Sequence, residues 1–150
     1  NIRAAGRLPS RKIHLNETRG ADADEAAMLR LPAGSKVIST EGISLADGQP
    51  IALFRSVFPA DRFPGLIDAL GRLPSITAAL AENGVSDYTR AFTRVNAKTA
   101  SATQAVQLHL REGDPILRTI SLSVDPQGTP VEYGRTWFSG DRVTLTLNEE

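Results

Sequence analysis

Cysteine is absent from this 150-residue chain, which excludes disulfides, thiolate metal sites and a thiol nucleophile and leaves export and cytoplasm equally open. Net charge is absent as well, since 17 Lys plus Arg stand against 17 Asp plus Glu. With no overall field to attract a polyanion, the chain by itself is not expected to grip nucleic acid. No apolar run approaches the roughly 20 residues of a membrane span, and no signal peptide opens the sequence. The only histidines, His14 and His109, have neither H-x-x-x-H nor H-E-x-x-H spacing, so no metal-ligand pattern is present. His109, between Leu108 and Leu110, reads as an exposed helix residue, and Asp141-Arg142 as a turn pairing rather than an acid/base dyad. There is no G-x-S-x-G elbow and no glycine-rich phosphate loop. These absences favour a binding protein over an enzyme, with no cofactor and no metal expected.

What is present is a diverged internal repeat. Ala23, Ala26, Leu29, Leu31, Gly34 and Val37 return 79 positions later as Ala102, Ala105, Leu108, Leu110, Gly113 and Ile116. After a one-residue insertion, Gly48, Pro50, Ile51 and Arg55 return 80 positions later as Gly128, Pro130, Val131 and Arg135. Asp22 with Glu25 and Ser101 with Gln104 both have capping-box spacing, so the helix start repeats too. One unit reads as helix, strand, glycine turn, strand. About 35 residues are too few to bury a core alone, so two copies predict one pseudo-symmetric sheet rather than two domains. A composition that is 41% hydrophobic is ample for that single core.

The elements follow in order. Residues 11–19 alternate as a first strand, and 22–31 form a helix that the L-x-L-x-x-G motif is expected to stop. Strands over 36–46 and 50–58 flank Asp47-Gly48, a hairpin signal that makes them antiparallel neighbours. A short helix is expected around Leu66, Ile67 and Leu70, and a second one opens at Pro74-Ser75 and ends at Asn83-Gly84. Residues 87–98 read as a long strand, 101–110 as a helix, and 115–125 with 130–147 as a second hairpin, whose last segment, Arg142 to Leu147, could pair with or cover a sheet edge. The fold class is α+β with a largely antiparallel sheet. Residues 1–10 read as a solvated linker carrying Arg3 and Arg7, and 11–150 as the folded domain. An opening on Asn1 rather than Met suggests a trimmed fragment.

Candidate binding residues can be weighed from the pattern. Ser75 precedes a helix, so its hydroxyl and the next free amides converge where an anion would be favoured; a plain N-cap is the alternative. Glu132 interrupts an apolar strand where the other copy has Ala52, and could accept hydrogen bonds from a ligand; a surface glutamate paired with arginine is the alternative. Arg55 and Arg135 could clamp an anion bidentately. Strand parity, however, places Glu132, Gly134, Thr136 and Phe138 on one face and Tyr133, Arg135 and Trp137 on the other.

The succession AAMLRLPAG, SLADGQPIALFRSVFP, FPGLIDAL, SITAALAENGV, then A-x-x-x-A-x-x-L-x-L-x-x-G-x-P-I-L, D-x-x-G-x-PVEY and FSGDRVTLTL resembles the UTRA effector-binding domain of GntR-type bacterial transcription regulators of the HutC subfamily, and within it regulators of phosphonate metabolism. The resemblance implies a chorismate-lyase-like fold, a homodimer, a cytoplasmic location and a DNA-binding winged helix-turn-helix domain that is absent from this chain. It also implies a small anionic effector, a phosphonate or phosphate ester, with a sugar-phosphate sensor or a small lyase-like enzyme as alternatives. By the same resemblance the helix-start pair falls on Ser75 and Thr77, an acid on Glu132 and an aromatic on Phe138. A hairpin acid falls on Phe54, and two phosphate-binding arginines fall on Gly42 and Ser44, none of which keeps the family's residue. Either the missing charge comes from Arg55, Arg90 or Arg94, or the pocket takes a different head group; Ser44 and Thr136 complete the candidate set.

Overall fold

The computed structural model describes residues 9–146. Its elements are β1 (Pro9–Gly20), α1 (Ala23–Leu29), β2 (Lys36–Ala46), β3 (Gln49–Pro59), α2 (Leu66–Arg72), α3 (Ile76–Glu82), β4 (Thr89–Thr99), α4 (Ala102–Leu108), β5 (Pro115–Val124) and β6 (Pro130–Ser139). The strands form one sheet in the order β1-β2-β3-β6-β5-β4, and every pairing is antiparallel. The α+β class and the repeat are therefore as the sequence predicts. Each half runs strand, helix, hairpin, and the halves meet where β3 pairs with β6.

Local chemistry explains the repeat. Both capping boxes form, with Asp22 accepting from the Glu25 amide and Ser101 from the Gln104 amide, while Glu25 and Gln104 reach back to the cap amides. Contrary to expectation, the glycines of L-x-L-x-x-G do not end the helices. Arg30 and His109 do, both left-handed at φ 53° and 55°. Each closes a Schellman-type cap, in which Leu31 N–H donates to the Ala26 carbonyl and Leu110 N–H to Ala105, both at 2.8 Å. His109 is thus an exposed cap rather than a helix residue. Asp47 and Gly48 have φ of 49° and 76°, which matches the twist of a two-residue type I′ hairpin. The second turn is held differently, by the Asp125 carboxylate accepting from the Gln127 and Thr129 amides at 2.9 Å each.

Bulges fix which face each side chain takes. The β2–β3 register passes from Ser44↔Ala52 to Leu45↔Pro50, and the β5–β6 register from Ser123↔Glu132 to Val124↔Pro130, so the equivalent residues Ile51 and Val131 are the extra ones. Beyond the bulge, parity holds. One face carries Ile38, Phe58 and Val131 under α2 and α3, together with Leu66, Leu70 and Leu80. The opposite face carries Val37, Val57 and Tyr133 under Leu29 of α1, and Ile116, Leu53 and Trp137 under Leu108 of α4.

Two further expectations are corrected. Strand β6 stops at Ser139, not 147, because the chain turns there: Gly140 N–H donates to the Pro115 carbonyl at 3.2 Å and the Arg142 and Val143 amides turn back to the Ser139 carbonyl; Val143 and Leu145 then line a cavity with Val95 and Leu117. Asp141 and Arg142 do not pair with each other by hydrogen bond: Ser139 donates to Asp141 at 2.7 Å, and Arg142 donates to the carbonyls of Pro50, Leu108 and His109. At the other end, strand β1 begins at Pro9 within the expected linker, and residues 1–8 lie outside the described residues.

Candidate effector site

A row of small polar residues crosses the entire sheet on the face covered by α2 and α3. Register places Asn16, Thr40, Ser56, Gly134, Ser121 and Thr93 side by side on β1, β2, β3, β6, β5 and β4. At its centre Gly134 has no side chain, and its neighbours close around that gap: a Cβ there would lie 3.2 Å from Ser121 Oγ and 3.7 Å from both Glu132 Oε2 and Ser56 Oγ. Ser56 Oγ donates to Glu132 Oε2 at 2.7 Å, and Arg90 donates to Ser121 Oγ. Ser123 Oγ, Thr40 Oγ1 and Asn16 Oδ1 are buried without a hydrogen-bond partner among the described residues. Buried polar atoms cost free energy when unpaired, so three of them on one face of the sheet, with Ser123 the register partner of Glu132, mark a place built for polar contact.

Glu132 is the acid, only 7% exposed. Burial pushes its pKa up, and the Ser56 hydrogen bond and the Arg90 charge pull it partly back. It is not the surface glutamate of the alternative reading. Such a carboxyl can accept from a ligand hydroxyl or amine when ionised, or donate when protonated. The bulge at Val131 lies before Glu132, so Glu132 and Arg135 do point to opposite faces.

The structure brings several predicted residues to this face and leaves others off it. Ser44, Phe54, Thr136 and Phe138 share it, in the pairs Ser44↔Ala52↔Phe138 and Phe54↔Thr136. Ser75 caps α3 by accepting from the Ala78 amide at 3.0 Å, and Thr77 shares a 2.6 Å hydrogen bond with the Tyr88 hydroxyl. Helix α3 packs through Ala79 and Leu80 in the cluster that includes Val131, so its start and Glu132 belong to one side of the sheet. Arg55 and Arg94 do not come together with Glu132. Arg55 is on the opposite face, bonded to Glu41, and Arg94 pairs with Ile120 in register, its guanidinium 4.4 Å from the Phe92 ring. Of the three arginines considered, Arg90 alone reaches the row.

Gly42 cannot host a side chain. A Cβ there would collide with the Lys12 carbonyl and lie 2.8 Å from Phe54 Cζ, so the aromatic ring occupies the space over the glycine. Sequence reasoning missed Ser56, Ser121, Ser123 and Thr40. A glycine inside a strand, as at Gly134, is the signal that could have pointed there, because it marks close approach; the β3–β6 register that gathers the serines has no local sequence signature. Among the described residues no group of three or more His, Cys, Asp or Glu could hold a metal ion, and no helix is long and apolar enough to cross a membrane.

The six-stranded antiparallel sheet with its four helices has the chorismate-lyase-like fold, and the chain belongs to the UTRA domain family, which it matches over residues 4–144. It is 36% identical over 127 residues to an uncharacterized HTH-type transcriptional regulator, RB1450, of Rhizobium meliloti (strain 1021), covering 85% of this chain and 52% of that protein. It is 27% identical over 126 residues to the HTH-type transcriptional repressor PhnF of Mycolicibacterium smegmatis (strain ATCC 700084 / mc(2)155), covering 84% of this chain and 51% of that one. The crystal structure of the effector domain of PhnF from Mycobacterium smegmatis superposes with a TM-score of 0.89 at 25% identity, covering 98% of this chain and 90% of that one. The chain spans about half the length of the curated relatives it matches.

Proposed function

We propose that this chain is the effector-sensing and dimerisation part of a bacterial transcription regulator, and that it takes a small anionic metabolite, a phosphonate or phosphate ester, between the start of α3 and the polar row around Gly134. The observation that carries this reading is buried Glu132, hydrogen-bonded to Ser56 and in register with unpartnered Ser123. Arg90 supplies the positive charge, Ser75 and Thr77 close the helix side, and Ser44, Phe54, Thr136 and Phe138 furnish the rest of the wall. Similarity to the effector domain of PhnF supports an effector-binding role. DNA would be read by a winged helix-turn-helix domain on the N-terminal side, and a second copy would associate along β4, an exposed edge strand of 11 residues whose backbone invites pairing.

A route from site to N-terminus is present. Arg11 of β1 donates to the carbonyls of Leu70 and Leu73 at 3.4 and 3.1 Å, and Asn16 to that of Ile67 at 3.0 Å. The first strand therefore holds the end of α2, two residues before Ser75. A ligand that prefers one placement of α2 and α3 over another by about 1.4 kcal/mol shifts operator affinity tenfold.

The test is a thermal-shift comparison of methylphosphonate, glycerol phosphate and glucosamine 6-phosphate on the native chain and on Glu132→Gln. A saturable rise for one of them that vanishes in the variant supports the site; no rise for any of the three, or an equal rise in the variant, removes it.

A further inference from the structure

The repeat shows what ordinarily fills the space beneath each helix, and one of the two spaces is left open. Under α1, the Tyr133 ring packs with Met28 and Ile120. Its hydroxyl donates to Asp24 at 2.6 Å, and the Arg135 guanidinium lies 5.2 Å from the ring centroid. In the other copy the counterparts of Tyr133, Met28, Ile120, Asp24 and Arg135 are Leu53, Gln107, Glu41, Thr103 and Arg55. The aromatic ring has become leucine, and the thioether an amide. Beneath α4 there is accordingly a cavity of about 400 Å³, lined by Glu41, Leu53, Arg55, Thr103, Gln107 and Trp137. This is within the size range of small-molecule sites. It lies on the face opposite Glu132.

We infer that this cavity is a second ligand site, taking a single-ring aromatic molecule with a polar substituent in the place that the Tyr133 side chain fills in the other copy. Arg55 supplies the cation over the ring as Arg135 does for Tyr133. Its Nε is engaged by Glu41, and its terminal nitrogens make no hydrogen bond among the described residues. Trp137, standing where the other copy has Val57, gives a flat aromatic wall. The substituent points at Thr103, the counterpart of the Asp24 that receives the Tyr133 hydroxyl. Because Thr103 both donates and accepts, a phenol and an aromatic carboxylate satisfy it equally.

The chain has one tryptophan, so fluorescence excited at the red edge of indole absorption reports on Trp137 alone. Titration with p-cresol, which is the tyrosine side chain itself, and with benzoate should change that signal saturably, with a midpoint on the order of 0.1–1 mM. Leu53→Tyr restores the ring of the other copy and should abolish the titration while raising the melting temperature; if that variant does not fold, Gln107→Met narrows the same space and should weaken binding. Arg55→Ala should weaken it about fivefold, and Glu132→Gln on the far face should leave it unchanged. The inference is overturned by a flat titration up to about 10 mM, by equal binding in the filled variants, by loss in Glu132→Gln, or by inorganic phosphate giving the same Trp137 response.

Discussion

Arg55 and Arg135, equivalent residues of the two copies, are direct cross-strand partners on β3 and β6. The local twofold axis of the sheet therefore passes between two like charges, an arrangement that costs stability unless each is compensated. The compensation is not symmetric. Arg55 takes Glu41 from the neighbouring strand, whereas Arg135 lies 3.5 Å from Glu25 of helix α1.

Glu25 should be the more expensive of the two equivalent capping residues to change. It is 1% exposed, and Arg19 holds both its oxygens at 2.7 Å. That hydrogen-bonded pairing, opposed by burial, keeps its pKa low. Because the folded-state value is lowered, the contribution is present above the unfolded value near 4.5 and is lost as pH falls through the folded one. Glu25→Gln should cost about 3–5 kcal/mol at neutral pH by urea denaturation, by stranding its arginine partners. Gln104→Ala, at the half-buried and uncharged counterpart, should cost about 1 kcal/mol or less.

Glu132→Gln should stabilise the unliganded chain at neutral pH. Here burial raises the folded-state pKa, so the sign is reversed: the unfolded chain ionises first, and stability falls as pH climbs from the unfolded toward the folded value. The variant's melting temperature should be the less dependent on pH above about 4.5. Equal pH profiles for the two proteins would contradict the buried acid with a raised pKa described above.

Gly134→Ala separates folding from binding. Alanine is favoured over glycine in a strand by about 0.5–1 kcal/mol, and Ser121 must give only slightly to admit the methyl group. Stability should therefore stay within about 1 kcal/mol of the native chain, while any effector-induced thermal shift should disappear because the methyl group occupies the centre of the row. A full shift in the variant would place the ligand elsewhere.

Arg11→Ala should loosen α2 without unfolding the sheet. Two carbonyl contacts are lost, costing about 1–2 kcal/mol, and amide exchange in residues 66–73 should accelerate while β5 and β6 remain protected. Uniform acceleration would mean that Arg11 supports the whole fold rather than this junction.

In solution the chain should sediment at twice its monomer mass at micromolar concentration. A monomer there would remove β4 as the edge of association.

Local chemistry made the repeat, both capping boxes and the Asp47-Gly48 hairpin legible in the sequence, because each depends on residues within a few positions of one another. Parity likewise placed Glu132 apart from Arg135. Helix ends were harder: Arg30 and His109 adopt the left-handed conformation usually left to glycine, and nothing in those side chains announces it. The end of β6 was missed because the alternation after Gly140 persists where the backbone turns against Pro115. The candidate site was the least legible part. Its serines are gathered by the β3–β6 register, which joins residues about 80 apart and rests on packing rather than any turn. The expectation that Arg55 or Arg94 would serve it failed on parity, since both share the face of Arg135, opposite Glu132.

A symmetric sheet assembled from two separate chains would carry every substitution twice. Tyr133 could not then become leucine on one side alone, and an opening useful beneath one helix would weaken the core beneath the other. Joining the copies in a single chain removes that constraint. One helix–hairpin unit can keep its aromatic filling and its buried ion pairs, while the other is at liberty to exchange packing for a vacancy of defined shape. In this chain the departures from symmetry, more than the symmetry, are where new specificity can be acquired without loss of the scaffold.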